Sequence, residues 1–257
     1  LHGPLPVALV VFLVSLLTGC ASHKQARAKT PAPPAIPEPS PTIQTIPSTA
    51  ENSRQAANPT PHESSGVISV PADAKPIFVE TGLASWYGAP YHNRVGSNGK
   101  VYDMNAMTAA HRTLPLGSIV RVTNVKTGHS ALVRITDRGP FVLGRILDLS
   151  LAAAKQVDVW QPGLATVLIE VLETPAPLNT GGRWAVQIGA FEEQAAATNL
   201  VDHLSRRYHT AKVLSFRSPI GDWWVRVRVL DDDRKRAEQL AAETRSSQGA
   251  IFLVRLD

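Results

Sequence analysis

A small, mainly β barrel followed by a compact α+β unit is the fold class the sequence predicts, and three observations predict it. Residues 81–174 read as short alternating strands closed by turn residues, with room for one short helix. Residues 182–257 read as strand, helix, strand, strand, helix, strand, the split βαββαβ order of ferredoxin-like units. Pro175, Pro177, Gly181 and Gly182 separate the two as a linker over 175–181.

In the first unit, Ile119 to Val125 places Val120 and Val122 on one face, and Leu132 to Thr136 pairs Val133 with Ile135. Ala165, Val167, Ile169 and Val171 line one face of a last strand. Lys126, Thr127 and Gly128 predict the turn of a hairpin. Ser150 caps a short helix to Val157. Many short strands with little helix predict a small barrel. In the second unit, Trp184 to Ala190, Val213 to Arg217, Trp223 to Leu230 and Ala250 to Leu256 are the strands. Glu192 to Tyr208 forms a helix with Ala197, Leu200, Val201, Leu204 and Tyr208 on one stripe. Asp231 to Arg245 forms a second, carrying Ala237, Leu240, Ala241 and Thr244.

The chain of 257 residues has room for two such cores, and its 17 Gly, 20 Pro and 18% charged residues exclude a collagen-like or highly charged disordered whole. A single cysteine, Cys20, excludes a disulfide framework and a thiolate zinc site, and the eight histidines form no HxH or HExxH pair. No metal or cofactor is expected. A formal charge of +5 permits nucleic acid, anionic lipid or an acidic polymer as partner without choosing among them.

Val7 to Leu17 is apolar except for Ser15, too short to span a bilayer and the right length for a signal-peptide core. Leu17, Thr18, Gly19 and Cys20 follow, and this run resembles the lipobox of bacterial lipoproteins. The resemblance implies a signal peptide over 1–19, cleavage before Cys20 and acylation of its sulfur. Ala21 and Ser22, with no Asp beside the cysteine, imply outer-membrane sorting. Pro31 to Pro76 holds eleven prolines and no aromatic residue, so residues 20–80 are expected to be a disordered tether.

Gly82, Ala84, Ser85, Trp86, Tyr87 and Gly88 open a longer resemblance. It continues through Ser97, Asn98 and Gly99, Thr108 to Gly117 (TAAHRTLPLG), Val122 to Asn124, Val133 to Phe141 (VRITDRGPF) and Gly144 to Ser150 (GRILDLS). This stretch resembles the rare lipoprotein A family, which implies a double-psi β-barrel over 81–174. Trp184, Val186, Gln187, Ile188, Gly189, Ala190 and Phe191 resemble the sporulation-related repeat (SPOR) domain, over 182–257. The resemblance implies a lytic transglycosylase at division septa. Its substrate would be peptidoglycan glycan strands stripped of their peptides, and it would leave 1,6-anhydro-N-acetylmuramic ends.

That reaction needs an acid for the bridging oxygen and a base for the muramic 6-hydroxyl, and one carboxyl can be both in turn. Asp137 is the candidate, because it ends a strand before the Gly139-Pro140 turn; a turn brace is the other reading of the same residue. Arg138 beside it would lower its pKa. His111 matches a polar position of the family groove and either orients Asp137 or a sugar hydroxyl, or is a packed core histidine. Asp148 reads as a structural hydrogen-bond acceptor. Trp86, Tyr87 and Asn98 are candidate sugar contacts in the barrel, one of the two aromatics being core. Gln187, Trp224, Arg226 and Arg228 are the candidate glycan platform of the SPOR sheet, whose helix-free face should be open to a polymer. The bland reading makes Trp224 core and the arginines solubilising.

Lys100 stands where the family usually carries Glu, so a binding protein of the same shape that does not cut is the alternative function. An inverting hydrolase using Asp137 with Asp103 or Asp148 would release reducing ends instead. An RNA-binding module follows only from the βαββαβ order and lacks the aromatic RNA signature, so no nucleic-acid partner is expected. Asp137, Arg138 and Gly139 do not match a pepsin-like protease signature.

Overall fold

The computed structural model describes residues 68–71, 73–209, 212–244, 246 and 249–257. The signal segment 1–19, Cys20 and most of the tether lie outside the described residues.

Six strands close into a barrel: β1 (Phe78–Trp86), β2 (Thr108–Ala110), β3 (Ile119–Asn124), β4 (Ser130–Asp137), β5 (Arg145–Leu149) and β6 (Ala165–Glu173). Their order round the barrel is β1-β5-β2-β4-β3-β6, with β1/β5 and β2/β4 parallel and the other pairs antiparallel. This is a double-psi β-barrel. The alternation read in the sequence sets what fills it: Val120, Val122, Val133, Ile135, Val167, Ile169 and Val171 are completely or almost completely shielded from solvent.

The β3–β4 hairpin turns on Asn124, whose Oδ1 accepts N–H bonds from Lys126 (2.9 Å) and Thr127 (3.3 Å). Gly128 takes the left-handed φ of +76° that the turn requires. Helix α1 (Leu151–Gln156) is capped by Ser150, which accepts the Ala153 N–H at 3.1 Å and donates to the Ala106 carbonyl at 2.7 Å. Three strand segments went unread in the sequence. β1 starts at Phe78, inside the stretch read as tether. β2 has only three residues, too few for a period to show, and β5 (RILDL) alternates imperfectly.

The C-terminal unit is a four-stranded antiparallel sheet in the order β10-β7-β9-β8, built from β7 (Trp184–Phe191), β8 (Lys212–Arg217), β9 (Trp223–Arg228) and β10 (Ala250–Arg255). Helices α2 (Gln194–Arg207) and α3 (Arg234–Glu243) cover one face. Their stripes, with Ala197, Leu204, Ala237 and Leu240 buried, pack on Val186, Ile188, Val225 and Val227. A 3₁₀ turn (Leu230–Asp232) precedes α3, whose cap is Asp233, accepting the Arg236 N–H at 2.9 Å.

The helix-free face of this sheet is partly covered, with Leu214 of β8 still 41% exposed on it. It lies against the barrel: the Leu116 N–H donates to the Asp257 main-chain oxygen (3.2 Å) and the Arg255 N–H to the Arg112 carbonyl (2.9 Å). Phe141 packs on Trp224 and Phe252, with ring centroids 5.4 and 5.7 Å apart. Trp224 and Gln187 are consequently only 7% and 2% exposed.

Candidate active site

Strand β4 carries Asp137 to the barrel rim. Residues two apart on a strand share a face, so the parity that buries Val133 and Ile135 sets the direction of Asp137, the last residue of the strand. Its Oδ1 accepts three hydrogen bonds: from the Ser97 N–H (3.0 Å), the Ser97 hydroxyl and the Arg138 N–H (2.8 Å). Among the described residues no hydrogen bond engages Oδ2.

Strand β5 brings a second carboxyl to the same place. Ala110 of β2 pairs with Asp137 on one side and Asp148 on the other. Two inter-strand spacings of about 4.8 Å therefore separate the two aspartate backbones by roughly 10 Å, and the small Ala110 leaves space between their side chains. Asp148 accepts the Ser85 hydroxyl on Oδ1 and faces Arg145 Nη2 across 3.5 Å from Oδ2. Burial pushes its pKa up against the opposing pull of Arg145 and Ser85. The structural reading of Asp148 holds, since it braces β1 against β5, but it is also a wall of the cleft. The available signal was a carboxylate inside the otherwise apolar run Ile146 to Leu149.

Asp137 and Asp148 line a cleft of about 460 Å³. Its barrel side includes Tyr87, Tyr91, Tyr102 and Phe141, and its other side is Gln187, Phe216, Trp224 and Arg226 of the C-terminal sheet. Tyr87 stacks on Tyr102 at 4.4 Å between ring centroids, and burial raises the Tyr102 pKa, so its hydroxyl stays protonated and donates to the Tyr87 carbonyl (2.8 Å).

Arg138 does not face the Asp137 carboxylate with its guanidinium. Nη1 donates to the carbonyls of His111 (3.0 Å) and Leu114 (2.6 Å), and Nη2 to the Asp257 main-chain oxygen. Burial pushes its pKa down to about 10, so it remains a cation at neutral pH, used to join the two domains.

Four of the expected site residues do not line the cleft. His111 is 5% exposed and lies outside the cleft lining. Its Nδ1 accepts the N–H groups of Thr113 (3.1 Å) and Leu114 (3.0 Å), so the neutral ring carries its proton on Nε2, which donates towards Glu80 at 3.4 Å. Burial lowers its pKa and keeps it neutral. Trp86 packs on the barrel core, while its neighbour Tyr87 lines the cleft. Asn98 shapes the loop beneath Ser97 by accepting the Lys100 N–H at 2.9 Å, and is not in the lining. Arg228 binds Asp232 through Nε (2.9 Å) and Nη2 and is likewise outside the cleft. Of the four platform residues, Gln187, Trp224 and Arg226 come together in it.

Lys100 is exposed, and its carbonyl accepts the N–H of Gly96, a residue of the cleft wall, at 2.8 Å. Asp103 accepts the Asn105 N–H at 2.9 Å and sits near His92 (3.8 Å), away from Asp137.

The barrel and the sheet each match a known family. Residues 79–169 match the lytic transglycolase family model, and residues 180–253 match the SPOR domain. Among curated relatives, the endolytic peptidoglycan transglycosylase RlpA of Vibrio cholerae is 55% identical over 100 residues, covering 39% of this chain and 38% of that one. The Helicobacter pylori protein of that name is 40% identical over 151 residues (48% of each chain). The Campylobacter jejuni one is 38% identical over 158 residues (52% and 56%). The chain thus spans about half or less of the length of these relatives. Fold and site define a lytic-transglycolase-type barrel joined to a SPOR domain. With these relatives beside it, the chain is similar to rare lipoprotein A proteins, most strongly over its barrel.

Proposed function

We propose that this protein is a lytic transglycosylase, held to the outer membrane by lipid on Cys20, that cleaves peptide-free peptidoglycan glycan strands at the division septum. The observation that carries the reading is the cleft with Asp137 at its rim, one carboxylate oxygen fixed by three donors and the other outside those bonds. A general acid has to be held still while one oxygen reaches substrate.

In this reaction Asp137 protonates the oxygen bridging N-acetylmuramic acid to N-acetylglucosamine, and the bond from that oxygen to the muramic anomeric carbon breaks. Asp137, now ionised, takes the proton of the muramic 6-hydroxyl as that oxygen bonds to the anomeric carbon. The carboxyl returns to its starting form, and neither water nor a cofactor is consumed. Tyr91 offers an aromatic surface to the sugar rings, backed by Tyr87, which itself stacks on Tyr102. Asp148, which burial pushes towards its protonated form, favours a second assignment in which it gives the first proton and Asp137 receives the second.

The name of the relatives supports the substrate class, and the SPOR match supports attachment to the cell wall. The lipobox supports the anchor, since several acyl chains at about 0.8 kcal/mol per buried methylene hold a protein firmly. The non-cutting alternative rests on Lys100 in place of the family's Glu, and product analysis separates it from cleavage. The test is mass spectrometry of products from peptide-free sacculi. The parent should release 1,6-anhydro fragments, Asp137→Asn should reduce release by at least about 100-fold, the usual range for a lost acid–base group, and full activity in Asp137→Asn would reject the assignment.

A further inference from the structure

Arg226 occupies an unusual position. Its Nε and Nη2 both bind Gln187 Oε1, at 3.2 and 2.6 Å, and its guanidinium lies 5.0 Å from the Phe216 ring centroid. These contacts fix the plane of a half-buried cation on the wall of the cleft. Among the described residues no carboxylate lies within ion-pair distance of it. A desolvated guanidinium without a counter-ion costs free energy that an arriving anion would offset.

The opposite wall is the catalytic one. Segment 137–141 contributes to both sides of the arrangement: Asp137 supplies the carboxyl, Arg138 ties the barrel to Asp257, and Phe141 packs on Trp224 and Phe252. The Asp137 charge also helps hold Arg226 in its ionised form, against burial and the neighbouring Arg228, so the two walls are within electrostatic reach.

We propose that the cleft is one glycan site built by both domains, in which Arg226, fixed by Gln187, holds a lactyl carboxylate of the strand while Asp137 acts on the neighbouring linkage. This rests on the glycan-cleaving reading above and deepens it. The anion follows from the chemistry of the substrate: removing the peptide from N-acetylmuramic acid frees its lactyl carboxylate, whereas a peptide-bearing residue presents a neutral amide there. Arginine distinguishes the two, because its fork matches a carboxylate. The C-terminal domain is then a substrate-positioning wall of the active site and not solely a tether to the wall polymer.

The test uses the full chain in an Asp137→Asn background, so that ligand survives. The probe is a peptide-free tetrasaccharide of alternating N-acetylglucosamine and N-acetylmuramic acid, titrated calorimetrically. One binding site per chain is expected. Arg226→Gln and the barrel variant Tyr91→Ala should each weaken binding about 10-fold or more, the scale of one charge-assisted hydrogen bond or one aromatic contact. The double variant should weaken that one site more than either single change does, because both side chains contact the same ligand. Neutral chitotetraose should show no dependence on Arg226. Two independent sites per chain, a double variant that binds no more weakly than the poorer single variant, or a tetrasaccharide indifferent to Arg226 would overturn the proposal. Gln187→Leu provides a second variant, releasing Arg226 without removing its charge. It should weaken the tetrasaccharide while leaving the near-ultraviolet circular dichroism of the fold in place. With Asp137 restored, Arg226→Gln should raise KM for this soluble probe, which a mere wall tether would leave unchanged. Coupled binding without any cleavage by the parent would reject the catalytic reading and support the shared site.

Discussion

At the scale of single residues, His111 shows how burial decides between roles. Its Nδ1 stands in for a turn-capping oxygen by accepting two consecutive main-chain N–H groups, and burial depresses its pKa although Glu80 pulls the other way. A histidine whose folded pKa lies below its unfolded value of about 6.5 binds more protons when unfolded. Stability is therefore fully present above about pH 6.5 and falls as the pH drops through the window below it, by at most about 1.4 kcal/mol per pH unit for one proton. His111→Asn keeps an acceptor in the turn and removes the titration. Urea midpoints between pH 7.5 and 5 should fall less steeply in the variant than in the parent, and parallel curves would show that the loss comes from another group. Asp148 shifts in the opposite sense. Its raised pKa means its ionised form is poorly accommodated, so its contribution is largest below the unfolded carboxylate value and is lost as pH rises through the folded one. Asp148→Asn should gain thermal stability relative to the parent at pH 8, and the gain should shrink at pH 4.

At the scale of elements, Ser150 links the short helix to the barrel in two directions, capping α1 and donating to Ala106. Ser150→Ala should cost about 1 kcal/mol for the cap, more if the Ala106 carbonyl finds no other donor, read as a lower urea midpoint with an unchanged slope. The elements also divide what was legible in the sequence from what was not. Strands β3, β4, β6 and the whole βαββαβ unit announced themselves by alternation and helical stripes, and Lys126 to Gly128 by turn chemistry, whereas the part played by Asn124 shows only in the folded chain. The three-residue β2 did not, because its place depends on parallel pairing with β4 and antiparallel pairing with β5. Asp137 was legible as a strand end. Asp148 was seen as a brace but not as a cleft wall, since its approach to Asp137 is created by the strand between them. Trp86, Asn98, His111 and Arg228 look polar or aromatic enough for a site, but each is spent on a partner or a core that only the folded chain shows.

At the scale of the whole molecule, the barrel rim and the helix-free sheet face meet, and Arg138, a buried cation held by the barrel carbonyls of His111 and Leu114, reaches across with one hydrogen bond to the Asp257 main-chain oxygen. Arg138→Met preserves volume but leaves three acceptors without their donor. It should lower stability by about 3 kcal/mol or more, and in calorimetry the barrel and the SPOR domain should then melt in separate transitions. A single transition at the parent temperature would show that the junction does not depend on this residue. The proposed lipid anchor on Cys20 belongs to this scale as well. Cys20→Ser should leave the protein uncleaved or move it to the soluble periplasm, and a mature-sized form retained in washed outer membranes would contradict lipid attachment there. The central claim is that the strand is cut by its own 6-hydroxyl and not by water. Digestion of peptide-free glycan in ¹⁸O-labelled water tests it most directly. Attack by the 6-hydroxyl gives 1,6-anhydro ends, fragments whose masses sum to that of the strand, and no label at the new terminus. Reducing ends carrying ¹⁸O would contradict it and identify a hydrolase.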